Sequence, residues 1–148
     1  MLSRTAEYLY WISRYMERAE TTARLLDVGY RMSLFPNPSG YNNEWESVLS
    51  AAGAIEGYKN KYDTIEQKNV EDYLFFDESN HSSVYNCILN ARNNALVVRT
   101  SFTPESWLAI NKTYQEILNL KEQKFTKSDL PNLTEWTIEQ VNLFRGSL

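Results

Sequence analysis

The sequence predicts an all-α protein, a bundle of about six helices opening with a long central amphipathic one. Three observations lead there. Apolar residues recur every three or four positions through the opening stretch. Gly and Pro are scarce, five and four in 148 residues, and cluster so that they separate long uninterrupted segments. No segment shows the alternation of a strand.

The opening segment is expected to be helical from an N-cap at Ser3 to about Ser33. Leu9, Ile12, Met16, Ala19, Ala23, Leu26 and Tyr30 form its apolar stripe. At ~30 residues it is long for a globular helix, which favours a bundle with this helix at its centre. Phe35-Pro-Asn-Pro-Ser-Gly40 reads as a loop. A short helix is expected over 44–54, with Trp45, Val48, Leu49 and Ala52 inward, and the stretch 57–63 has no clear pattern. Thr64 is the expected cap of a helix to Phe76, followed by a turn over 77–82. Ser82 or Ser83 then caps a helix reaching about Ser101, with Ile88, Ala91, Ala95 and Val98 on one face. Thr103-Pro104 supplies a cap and a first-turn proline for a helix to Glu122. A polar loop over 124–131 precedes a last helix through Leu133, Trp136, Val141 and Phe144.

Composition narrows the function classes. A chain of 148 residues fits one domain, and 43% hydrophobic with 23% charged residues is ordinary for a globular protein. The net charge of −4 argues against nucleic acid as a partner. The charge is uneven, because residues 1–34 carry five Arg and four acids, and no Lys occurs before Lys59. The opening helix therefore uses only guanidinium cations, whose planar forks suit carboxylates and phosphates. The single cysteine, Cys87, allows no intrachain disulfide. No membrane span and no export signal can be read, and a cytoplasmic location is expected.

Chemistry-bearing motifs are few. Glu78-Ser-Asn-His81 has the Glu-x-x-His spacing of di-iron bundles, but one copy in a turn, holding the only His, falls short of that site. Cys87 and His81 should not face each other, and Cys87 reads as a buried structural residue. No phosphate loop, catalytic triad or Cys-x-x-Cys pair occurs, so neither metal nor cofactor is expected. The candidate site is the first helix. Ser13, Glu17, Glu20, Arg24, Asp27 and Arg31 step 4, 3, 4, 3, 4 beside the apolar stripe, and Glu7, Trp11, Arg14 and Arg18 make a second row. Arg14, Glu17, Arg18, Glu20 and Arg24 are the candidate residues. They form either an internal ion-pair network with partly buried charges, or a place where arginines hold a carboxylate or phosphate and Glu17 and Glu20 act as a carboxylate pair.

The run Ser3 to Val28, containing Tyr15-Met-Glu-Arg-Ala-Glu20, resembles the opening of the bacterial alpha-E family, helical proteins of unknown function named for a glutamate-arginine motif. Here that motif falls on Glu17-Arg18. Further likeness lies at Trp45-Glu46, Phe75-Phe-Asp77, Asn80-His-Ser-Ser83, Ala91-Arg-Asn-Asn-Ala95 and Phe144-Arg-Gly146. The resemblance implies a single helical domain over 1–148 equivalent to the N-terminal half of a longer family domain. An apolar surface left by the other half would then be covered by self-association, with first helices pairing, or by a C-terminal-half partner. It also implies work beside ATP-grasp ligases and transglutaminase-like proteins in peptide or amide-bond metabolism. The leading expectation is a non-catalytic partner or substrate-binding module. The alternative is an amide-bond enzyme whose site forms between two glutamate-arginine helices, one supplied by a missing half or second subunit.

Overall fold

The computed structural model describes residues 2–35, 43–123 and 130–148. Seven α-helices occur among them: α1 (Leu2–Ser33), α2 (Asn43–Ala51), α3 (Ile55–Lys61), α4 (Gln67–Glu71), α5 (Val84–Val97), α6 (Pro104–Glu122) and α7 (Leu130–Ser147). A π-helical turn, Asp72–Phe76, continues α4, and a 3-10 turn, Arg99–Ser101, follows α5. No strand occurs among the described residues.

The all-α expectation holds, with local corrections. The helix expected over 44–54 is α2, and it ends three residues early, at Ala51. Gly53 takes a φ of +68°, the left-handed value that closes α2, and α3 then occupies the stretch that showed no pattern. Thr64 does not cap a helix. The Tyr58 hydroxyl donates to the Thr64 carbonyl at 2.7 Å and accepts from the Glu66 amide at 3.3 Å, which holds 64–66 out of a helix, with Glu66 extended, and delays α4 to Gln67. Ser83 caps α5 by accepting from the Asn86 amide at 3.1 Å, and Thr103 caps α6 by accepting from the Ser106 amide at 3.1 Å. α5 stops at Val97, short of Ser101, because Pro104 disfavours helical backbone at Thr103 and the chain tightens into the 3-10 turn first. The expected loop over 35–40 lies outside the described residues except for Phe35. Of 124–131 only Leu130 and Pro131 are described, and they open α7.

α1, 32 residues and about 48 Å long, is the central helix. It packs against α5 and α7, and its C-terminal half also meets α2 and the π turn. Ile12, Met16, Ala19, Ala23 and Leu26 are all buried, as the stripe required. Ala19, Ala23, Ala91 and Ala95 are small enough to let helix backbones approach closely. One apolar cluster joins Leu26, Trp45, Leu49, Tyr58, Phe75, Ile88 and Ile117, and a second at the other end joins Ile12, Met16, Ile110, Val141 and Phe144.

Buried polar groups tie the helices in register. Thr134 donates to the Ala23 carbonyl at 3.2 Å, and Thr113 donates to the Gln140 amide oxygen at 2.9 Å. Among the described residues no buried side-chain polar atom lacks a partner, as a specific core demands. Beside the core, Asp77 accepts from Ser79 and from Lys61, which fastens α3 to the turn before α5. No helix among the described residues is long and apolar enough to cross a membrane.

Candidate functional site

The apolar stripe of α1 is turned inward, so its two flanks are what the helix offers to other molecules. Along the α7 flank the ionic row forms as spaced. Arg24 donates through Nε to Glu20 at 3.0 Å, and Arg31 forms an ion pair through Nε with Asp27 at 2.9 Å. The carboxylates are sunk, with side chains 16% and 18% exposed, while Arg24 and Arg31 are 57% and 75% exposed. Glu20 uses its other oxygen as well, accepting from Arg145 at 2.9 Å. Arg145 is a partner that sequence reasoning missed. Its residue had been noted in the resemblance, but nothing in a separation of 125 residues announces a contact.

The five candidate residues do not converge on one centre. Arg14 pairs with Glu17 at 3.2 Å on the open surface. Glu20 and Arg24 belong to the arrangement with Arg145. Arg18 lies half-buried on the α5 side and makes no hydrogen bond or ion pair among the described residues. The expected internal network is therefore three surface-flank clusters, with only the Glu20 and Asp27 carboxylates drawn in. The reason is geometric: residues three and four apart share a face, whereas Glu17 and Arg18 are neighbours pointing about 100° apart.

Cys87 is buried on α5, and its thiol donates weakly to the Ser82 carbonyl at 3.8 Å. Burial pushes that thiol up to about 12, with the Arg18 charge pulling the other way. A thiol so protonated is a poor nucleophile. Glu78 pairs with Lys121 at 3.0 Å, and His81 is exposed in the turn. Among the described residues no group of three His, Cys, Asp or Glu side chains is placed to hold a metal ion.

Among the described residues, concavities lie on both flanks of α1. Between α1 and α7 runs a groove of about 980 Å³, lined by Arg24, Asp27, Val28 and Arg31 on one wall and Thr134, Glu135, Ile138, Glu139 and Leu143 on the other. Between the first turns of α1 and the last turn of α5 lies a cleft of about 400 Å³, lined by Arg4, Glu7, Tyr8, Trp11, Tyr15 and Asn94. Glu7 and Trp11 had been read as part of one row. Arg4, Tyr8 and Tyr15 continue it at the same spacing, so the cleft was partly visible in the sequence; Asn94, from another helix, was not.

Across residues 1–148 the chain matches the family model of Alpha-E, described as a predicted alpha-helical domain with a conserved ER motif. The chain belongs to the Alpha-E family. No curated protein and no solved structure matches it. The only Glu-Arg dipeptide in this Alpha-E chain is Glu17-Arg18, so the motif sits at the middle of α1. Its two halves serve different faces: Glu17 holds Arg14 in solvent, and Arg18 brings a positive charge to the α1–α5 seam beside Cys87.

Proposed function

We propose that this Alpha-E chain is a non-catalytic binding module that holds a peptide-like ligand in the α1–α5 cleft. In this reading it works beside an ATP-grasp ligase and a transglutaminase-like protein in making or processing amide bonds. One observation carries the ligand class. Arg4 and Glu7 have the same spacing as Arg14 and Glu17, which close into an ion pair, yet among the described residues neither Arg4 nor Glu7 has a partner, and both line the cleft.

An unpaired guanidinium and an unpaired carboxylate in one cleft are complementary to a zwitterion. Arg4 suits a ligand carboxylate through a forked pair of hydrogen bonds, and Glu7 suits an ammonium group. Trp11 is 42% exposed and lies 6.0 Å from Tyr15, centroid to centroid, which gives a planar amide or a cation an aromatic wall. Asn94 can donate to and accept from a peptide bond at once. The volume is at the lower end of small-ligand clefts, about 300–1,000 Å³, and suits an amino acid or dipeptide. On this reading Arg14, Glu17, Glu20 and Arg24 stiffen the helix, and Arg18 adds positive charge further along the seam.

The test is calorimetric titration of the chain with free aromatic dipeptides and with versions acetylated at one end or amidated at the other. Free dipeptides are expected to bind, and blocking either end or substituting Trp11→Ala or Arg4→Ala is expected to weaken binding by about tenfold or more. Arg24→Ala should leave it unchanged. Equal binding by wild type, Trp11→Ala and Arg4→Ala would end the assignment. Co-purification with an ATP-grasp ligase and a transglutaminase-like protein reads the partnership.

A further inference from the structure

The α1–α7 groove lies on the other flank of α1 and is independent of the cleft. Its two walls carry opposite charge. On α7, Glu135 and Glu139 are exposed, four residues apart, and have no cation partner among the described residues. Like charges at that spacing repel, so this wall costs the free chain stability unless cations arrive from outside. On α1, Arg24 and Arg31 each engage their own carboxylate through Nε. The terminal nitrogens of each fork stay open to a second acceptor. Half-exposed Val28 and Leu143, with Ile138, supply apolar surface between the walls. Exposed apolar surface rimmed by charge is the pattern of an interaction site.

We infer that this groove is a self-association surface in which a second copy of the chain sets its α1 wall against the first copy's α7 wall. Charge complementarity selects the second copy. The bonds from Thr134 to Ala23 and from Arg145 to Glu20 hold α7 antiparallel beside α1, and Arg24, Arg31, Glu135 and Glu139 line the same groove. A two-fold axis running along the groove, in the plane of contact, exchanges the walls without changing height. Arg24 and Arg31 of each copy then face Glu139 and Glu135 of the other, and every contact is made twice. A foreign helix would have to match a basic wall and an acidic wall at once, which the chain's own surface already does. Pairing of first helices with each other, the arrangement expected from sequence, would instead leave the four glutamates of the two α7 walls unanswered.

Sedimentation of the full chain from about 1 to 200 µM should show a concentration-dependent dimer, a range that spans ordinary homodimer affinities. Arg24→Glu with Arg31→Glu makes both walls acidic, and Glu135→Arg with Glu139→Arg makes both basic. Each double variant is expected to weaken the dimer by about 100-fold or more, because like charges meet at every contact. An equimolar mixture of the two should restore a dimer containing one copy of each. Circular dichroism checks helix content throughout. The α7 variant changes only exposed side chains, so it carries the test by itself should the α1 variant fail to fold. A wild-type chain that stays monomeric, an α7 variant that dimerises like wild type, or two folded variants that fail to pair when mixed would each overturn the inference.

Discussion

Gly29 is a mid-helix glycine whose replacement by alanine should destabilise the protein, against the usual preference of helices. In α1 a Cβ at Gly29 would lie 2.8 Å from Trp45 Cζ3, 2.8 Å from Val48 Cγ2 and 3.1 Å from Trp45 Cε3. Carbon atoms sit comfortably at about 3.5–4.0 Å, so ring and methyl must each retreat by most of an ångström. Neither has room, since Trp45 and Val48 are both in the buried core. Overpacking of this kind costs about 1–3 kcal/mol, while exchanging Gly for Ala in a helix gains about 0.8–1.0 kcal/mol. The expected net loss is about 1 kcal/mol, or a melting temperature lower by about 2–4 °C for a chain of this size. Gly146 in α7 is the internal control, because nothing lies within 4 Å of its Cβ position. Gly146→Ala should gain a few tenths to about 1 kcal/mol. The difference between the variants isolates the clash, since the propensity gain is common to both. Urea unfolding monitored by circular dichroism measures both midpoints and slopes. A Gly29→Ala protein as stable as wild type would refute the close α1–α2 contact on which the argument rests.

Two further outcomes follow from the ionisable groups. Burial pushes Asp77 up, but hydrogen bonds from Lys61 and Ser79 outweigh it and hold the carboxyl below its usual range. Its contribution to stability is therefore present above the unfolded value of about 3.9 and is lost as pH falls through the lower folded value. Urea midpoints measured from about pH 6 down to pH 2 should fall less steeply in Asp77→Asn than in wild type over that acid window. Cys87, with its thiol pushed up to about 12, should resist iodoacetamide in the folded protein at mildly alkaline pH. It should react at the rate of a free thiol once urea unfolds the chain, with mass spectrometry counting the adducts.

The opening helix was legible because its signal is local: apolar positions three and four apart, an arginine-only ionic row, and few breaks. The caps at Ser83 and Thr103 were legible for the same reason, since the side chain bonds a backbone amide three residues on. What escaped was set by contacts distant in sequence. Thr64 looked like a cap, but its carbonyl is held in a bend by the Tyr58 hydroxyl. α3 was obscured by Gly57, a poor helix former, yet a Cβ there would collide with the Tyr73 hydroxyl. The glycine answers to packing that a local reading does not contain. The site divides the same way. Spacing alone paired Glu20 with Arg24 and Asp27 with Arg31, but it could not bring Arg145 to Glu20, Asn94 to Trp11, or Glu135 and Glu139 to the groove.

The two surfaces assigned to α1 need not compete. The cleft residues centre near position 9 and the groove residues near position 27, a separation of about 27 Å along the helix axis. At 100° per residue, Arg4, Glu7, Tyr8, Trp11 and Tyr15 fall on one flank, and Arg24, Asp27, Val28 and Arg31 fall roughly opposite, with the buried stripe between them and turned to the core. A copy docked along α7 therefore leaves the α1–α5 cleft open in both subunits. The Glu-Arg motif sits between the two surfaces along the helix. Glu17 ends the solvent pair with Arg14 on the groove side of the helix surface, and Arg18 turns to the cleft side beside α5. On the proposed reading this dipeptide marks the point where the helix passes from a ligand-facing to a partner-facing flank, and the 100° step between adjacent helical residues is why its two charges answer to different neighbours rather than to each other.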